Sequence, residues 1–217
     1  MGLRRALRNG FRRHGLRLPG WLLRDDEPHM RRVARTLSRG DIVLDLGAHT
    51  GIAAIEFSHC AGRVYAFEPH PDIFAALQRN TRAYPRIVPV RKAVSDTTGT
   101  AQLFFEPPAR PGFFEGSTLV TTKSNLSYAN AHEVETVALA EFILSLDRDV
   151  ALIKMDVEGA EYRILSALIE TPAIARVREI HVEDHCDRVA GLAEERAAFE
   201  ARAAALGVLD RFDFGWP

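Results

Sequence analysis

The 217-residue chain balances 28 Lys and Arg against 29 Asp and Glu and is 47% hydrophobic and 26% charged. These are ordinary globular proportions, which exclude a low-complexity, collagenous or disordered polypeptide and leave room for one well-buried core. Cys60 and Cys186 make neither a disulfide framework nor a metal knuckle, no apolar run approaches the ~20 residues that span a bilayer, and no hydrophobic signal region follows the basic N-terminus, so a cytoplasmic protein is expected.

The near-neutral total conceals an asymmetry. Residues 1–40 hold eleven Arg against three acids, which leaves the remainder of the chain strongly acidic. Leu3, Leu7 and Phe11 fall four apart, the spacing of a short amphipathic helix. Residues 1–40 therefore read as a basic helical arm lying on a domain formed by residues 41–217. A weak contact to an anionic surface or phosphorylated carrier is the alternative. Sparse aromatic residues among the arginines argue against nucleic acid.

Beyond residue 40, short β-rich runs alternate with helical patterns. Ile42–Leu46 is a compact apolar run ending at a glycine, as in a buried parallel strand. A helix is expected over 51–60, a strand over 63–67, a helix over 71–83 opened by Pro71, and a strand over 87–91 in which Pro89 points to a sheet edge. Residues 99–137 interrupt this rhythm: strands over 101–105 and 134–137 flank a long stretch containing Pro107-Pro108, Pro111-Gly112 and Gly116-Ser-Thr118. A helix over 139–147, a strand over 151–155, a helix over 160–170, a strand over 177–184, a helix over 192–206 and a strand over 208–214 complete the chain. The order predicts an α/β fold: a doubly wound, mostly parallel sheet with helices on both faces and a β-containing insertion before the strand at 151–155. Ligands of such sheets bind outside the carboxyl ends of the strands, where strand order switches.

Asp45-Leu-Gly-Ala-His-Thr-Gly51 occupies that position after the first strand. Its G-x-x-x-G spacing lacks the middle glycine of a dinucleotide fingerprint, which counts against a nicotinamide dehydrogenase. Asp45 suits a ligand with a cationic amino-acid end. Glu68, twenty-one residues beyond Gly47 at the end of the second strand, can accept both hydroxyls of a ribose. Asp96 reads either as an Asx-turn residue or as an adenine contact. Together the turn and Glu68 point to an adenosyl ligand.

The chain resembles the FkbM family of S-adenosylmethionine-dependent methyltransferases. The matching stretches are Leu44–Gly51, Tyr65–Pro71, Lys92–Asp96, Gly116–Leu119, Ile153–Glu161 and Glu183–His185, of which the block Lys-Met-Asp-Val-Glu-Gly-Ala-Glu161 is the most specific. The resemblance implies a Rossmann-like methyltransferase fold of the seven-stranded type. It also implies S-adenosyl-L-methionine as cofactor and O-methylation of a small-molecule hydroxyl on a sugar, glycan or polyketide-like acceptor. By position, Asp45, Gly47, Ala48, His49 and Gly51 with Asp156 would contact the cofactor, Glu68 its ribose, and Ser95 with Asp96 its adenine. His49 stands where the family usually has Asn, and its role is open.

An alcohol acceptor must lose a proton as it is methylated, through a general base or a metal that acidifies the hydroxyl. Asp156 ends the strand at 151–155, and Glu158 and Glu161 follow it one helical turn apart. Glu179, His181, Glu183 and His185 share one face of the 177–184 strand line, the last two near its carboxyl end. Asp156, Glu183 and His185 are therefore the expected catalytic group. Either His185 or Asp156 is the base, or Asp156 and Glu183, with Glu158, bind Mg2+. Glu158 and Glu161 also suit a helix start, where carboxylates oppose the dipole. Lys154 reads as an ion-pair partner or a substrate contact, and Ser117, Thr118 and Glu158 as acceptor contacts beneath a lid built from the insertion. His132 reads as a surface residue. An Asp-Val-Glu-Gly sequence at 156–159 lacks the Pro-Pro-aromatic block of base amino-methylating enzymes. A non-catalytic adenosyl-binding domain is the remaining alternative.

Overall fold

The chain is described by a computed structural model covering residues 28–105, 117–120 and 130–216. The helix expected around Leu3–Phe11, the prolines at 107, 108 and 111, and Gly116 lie outside these residues.

Helix α1 (Pro28–Ala34) leads into β1 (Ile42–Leu46), every residue of which is buried. Then follow α2 (Ile52–Ser58), β2 (Arg63–Phe67), α3 (Pro71–Thr81) and β3 (Ile87–Val90). The insertion supplies β4 (Ala93–Ser95), β5 (Gly99–Phe104) and β6 (Ala131–Ala138). Helix α4 (Leu139–Ser145), β7 (Val150–Met155), α5 (Glu161–Ile169), β8 (Val177–Val182), α6 (Leu192–Ala205) and β9 (Phe212–Asp213) complete the order.

The main sheet has six strands in the order β3-β2-β1-β7-β8-β9, and all its pairings are parallel. Pro89 sits in the edge strand β3, where the hydrogen that proline lacks costs no ladder bond. The chain runs outward from β1 to β3, returns at β7 and runs outward to β9, so the switch in strand order lies between β1 and β7. Alternation along β1 feeds two cores. Leu44 and Leu46 join Phe67, Met155, Leu165 and Phe199 on one face. Val43 joins Phe57, Leu77, Leu152 and Trp216 on the other, together with Met30, Val33 and Leu37. The described part of the basic N-terminal segment is thus packed into the domain.

The insertion forms its own three-stranded sheet, with β6 central, β4 parallel to it and β5 antiparallel. Thr118 bridges Phe104, tying the stretch after the prolines to β5. The strand expected over 208–214 shortens to Phe212–Asp213, because Leu209–Arg211 winds into a 3-10 turn. No helix among the described residues is long and apolar enough to cross a membrane.

Candidate active site

Two loops meet at the switch point. Gly47, at φ 76°, ends β1, and a Cβ there would lie 1.8 Å from the carbonyl oxygen of Asp156. The β1 turn can therefore touch the loop after β7 only as glycine. Gly51 serves a different contact: its missing Cβ admits Leu77 Cδ1 of α3 at 2.7 Å.

Between them His49 adopts φ 49° and, with Glu158 at φ 58°, is one of two non-glycine residues in the left-handed region among those described. Asn, Asp and His are the side chains best tolerated there. The exchange of the family's usual Asn for His49 thus keeps what the backbone needs. The His49 amide donates to Glu68 Oε2 at 3.0 Å, and the His70 amide donates to Glu68 Oε1 at 2.9 Å. Glu68 is held at the end of β2 by two main-chain donors. Burial pushes its carboxyl up to about 7, against the pull of the two amides. His70 caps α3 by accepting from the Asp72 amide, and burial brings its imidazole down to about 4, so it serves as a neutral acceptor.

Across the switch point the polar contacts join charged side chains. Lys154 is buried on β7, 3.5 Å from Asp45 Oδ1 and 3.3 Å from Asp156 Oδ2, and donates to the Gly47 carbonyl at 3.0 Å. Burial works against the ammonium, but Asp156 and Asp45 hold its pKa above the ordinary value. Of the two readings of Lys154, the ion-pair partner is the one its surroundings match. Asp45 is fully buried behind this pair, and burial raises its pKa.

His185 follows β8 and is fully buried. Its Nδ1 lies 2.9 Å from Glu161 Oε1, and its Nε2 lies 3.3 Å from Glu158 Oε2, 3.7 Å from Glu183 Oε1 and 3.8 Å from Asp156 Oδ1. Burial disfavours the imidazolium, yet the Glu161 hydrogen bond and the surrounding carboxylates raise its pKa well above the ordinary histidine value. Burial and the Asp156 charge push Glu183 upward, whereas Lys154 and His185 keep Asp156 low despite its burial.

A crevice opens at the switch point. Gly47, His49 and Glu68 line one side and Asp156 and Glu158 the other, while Phe67, Ile73, Val94, Leu103 and Leu119 supply apolar walls. This combination fits an adenosyl ligand: an acid for a diol, an apolar slot for a base, and close-approaching backbone at Gly47. Ser117 also lines it, and its Oγ is buried without a hydrogen-bond partner among the described residues.

Some expected residues lie elsewhere. Ser95 and Asp96 are not in the lining: Ser95 donates to Asp96 Oδ1, which faces Arg163 at 3.3 Å. Thr118 is buried and donates to the Glu158 carbonyl at 2.6 Å, acting as a tie between the insertion and the loop after β7. His132 stacks on Phe105 at 4.7 Å and meets His70 edge-on. Of the acidic groups considered for Mg2+, Asp156 and Glu158 come together with His185, each offering a ligand atom within 4.8 Å of the others, and Glu183 stands outside that set. The sequence reading missed the tie of Glu161 to His185. Its signal was faint, because Glu161 also opens α5 and accepts from the Gly159 amide as a helix-start carboxylate would.

Residues 45–199 match the family described as Methyltransferase FkbM domain. The chain is similar to the hexuronic acid methyltransferase AglP of Haloferax volcanii, at 29% identity over 76% of this chain and 66% of that protein. It is also similar to the 31-O-demethyl-FK506 methyltransferase FkbM of Streptomyces tacrolimicus, at 30% identity over 69% of this chain and 67% of that one. The chain thus spans about two-thirds of the length of these relatives. Among solved structures, a methyltransferase FkbM from Methylobacillus flagellatus KT aligns at 16% identity and a TM-score of 0.48, over 79% of this chain and 38% of that one.

Proposed function

Because the chain belongs to the FkbM methyltransferase family, we propose that it transfers the methyl group of S-adenosylmethionine to a hydroxyl of a small sugar- or polyketide-like acceptor. The observation that carries this reading is the placement of Glu68, fixed by two main-chain amides, in the same crevice as the Asp156–Glu158 loop. The names of the two relatives, one for a hexuronic acid and one for a 31-O-demethyl compound, support an oxygen acceptor.

When bound, the cofactor supplies a methyl already made electrophilic by its sulfonium. The chain's own work is then to orient and to accept a proton. Glu68 receives the ribose hydroxyls, and Gly47 and His49 present backbone to the methionine end. The apolar walls exclude water from the base. Asp156, anchored by Lys154, faces the acceptor side. His185 is fixed by Glu161 and holds Asp156 and Glu158 in place, and Glu183, beside His185, takes the acceptor's proton. Alignment of acceptor and methyl contributes several kcal/mol to lowering the barrier.

Calorimetric titration with S-adenosylhomocysteine and, separately, NADH tests the cofactor. Binding of the first alone is expected, and binding of NADH alone would overturn the reading. Label transfer from methyl-labelled cofactor to a hydroxyl library that includes uronic acids tests the reaction. Cofactor binding with no transfer to any hydroxyl would favour a non-catalytic adenosyl-binding domain.

A further inference from the structure

We propose that Asp156, Glu158 and His185 bind one first-row divalent transition metal at the acceptor end of the crevice. The proposal deepens the methyl-transfer reading and rests on it for the metal's use, though not for its binding. Each residue offers one ligand atom, and the three atoms lie within 4.8 Å of one another. The separations of 3.3 and 3.8 Å from His185 Nε2 to the two carboxylates resemble the edges of a coordination polyhedron with bonds of roughly 2.0–2.2 Å.

The independent pointer is His185 itself. It is fully buried, and its Nε2 makes no hydrogen bond among the described residues although it is aimed into the carboxylates. A carboxylate can only accept, so the contact of Nδ1 with Glu161 Oε1 at 2.9 Å puts a proton on Nδ1 and leaves Nε2 as the ring nitrogen that faces the site, where a metal would take the place of its proton. Glu161 is in turn fixed by the Gly159 amide at 3.0 Å. A carboxylate behind a histidine is the usual outer-shell arrangement of a metal-bound imidazole.

A nitrogen beside two carboxylate oxygens selects Mn2+, Fe2+, Co2+ or Zn2+ over Mg2+ and Ca2+, which prefer oxygen alone. Three protein ligands leave coordination positions open, and Asp156 and Glu158 line the crevice, so an acceptor oxygen can enter. The metal would acidify the acceptor hydroxyl. Its proton passes to Glu183, the oxygen's electron pair forms the new carbon–oxygen bond, and the sulfur–carbon pair returns to sulfur.

The test titrates metal-free full chain with Mn2+, reading free Mn2+ by electron paramagnetic resonance, and repeats the titration with Zn2+ in competition. One Mn2+ per chain is expected, displaced by Zn2+ but not by excess Mg2+. Glu158→Gln, which keeps the side chain's shape, should weaken Mn2+ binding at least ~10-fold. His29→Ala, in the separate cluster of His29, His181 and Asp213, should leave it unchanged. Absence of binding at millimolar Mn2+ and Zn2+, or binding lost in His29→Ala and kept in Glu158→Gln, would overturn the proposal. Binding of S-adenosylhomocysteine is measured on the same samples: homocysteine-adenosyl binding without metal binding defeats the metal site and leaves methyl transfer standing, and it also verifies that Glu158→Gln is folded.

Discussion

The two sides of the switch point solve the same problem, holding a carboxylate at a strand end, by opposite means. Beside β1 and β2, Glu68 is fixed by the amides of His49 and His70, and the turn owes its shape to Gly47 and Gly51. Beside β7 and β8, Asp156, Glu158, Glu161 and Glu183 are fixed by one another's counter-charges, Lys154 and His185. Main-chain donors are neutral and survive side-chain substitution. A buried charge cluster is balanced as a whole, so losing one member leaves the others uncompensated. The β1–β2 side should therefore break through backbone geometry, and the β7–β8 side through charge.

The largest effect is expected on the charged side. Lys154→Met keeps the stem but removes the ammonium between Asp45 and Asp156. A loss of about 3–5 kcal/mol in urea unfolding should follow; a loss below ~1 kcal/mol would show that the cluster is not charge-balanced as described.

The corresponding backbone test is Gly47→Ala, which drives a Cβ into the Asp156 carbonyl and should cost on the order of 3 kcal/mol along with cofactor binding. Gly207→Ala, also at positive φ but with nothing within 4 Å, should cost only about 1 kcal/mol. Equal costs would mean that the contact between the two loops is unimportant.

Glu68→Ala should weaken S-adenosylmethionine binding by roughly 1.5–3 kcal/mol. On the proposed reading the ribose hydroxyls need the ionised carboxylate of the unsubstituted protein, whose pKa is pushed up to about 7. Protonation competes with binding, so affinity should rise as pH climbs towards 7, by at most about tenfold per unit, and level off above it. A flat profile in calorimetry would remove Glu68 from the ribose.

His185 gives the opposite sign. Its folded pKa is raised above 6.5, so its stabilisation is complete below that pH and is lost as pH rises through the folded value, about 9. The melting-temperature gap between the metal-free protein and His185→Gln should narrow across that window. The smallest effect belongs to Asp96→Asn. Asp96 faces Arg163 outside the crevice lining, so cofactor affinity should move by less than ~0.5 kcal/mol. A larger loss would return Asp96 to the adenine.

Legibility in the sequence follows the same division. Mainly apolar runs mark β1 and β7 because strands buried on both faces admit little else, and Gly47 and Glu68 stand out because a strand-end turn and acid have few other reasons to be so spaced. The three-residue β4 and two-residue β9 carry too little pattern for a period to show. His49 was opaque because its requirement is a backbone angle, which a residue name reports only weakly. Glu161 was read as a helix-start carboxylate, which it is, but its partner lies 24 residues away, and no local spacing reports that contact. Asp45, prominent in the motif, is walled off by Lys154, since burial of a strand-end side chain depends on the neighbouring strand.

The bond from the Thr118 hydroxyl to the Glu158 carbonyl has a consequence for how acceptor choice can vary. It fastens the insertion to a loop whose backbone is already committed to a left-handed turn, and it does so with a side chain that needs only one oxygen. If the insertion meets the acceptor, as proposed, it can be exchanged for another while the loop after β7 keeps its place. The fastening works as an interchangeable fitting, and a graft of a different insertion that keeps a hydroxyl at that position is the natural way to retarget the enzyme.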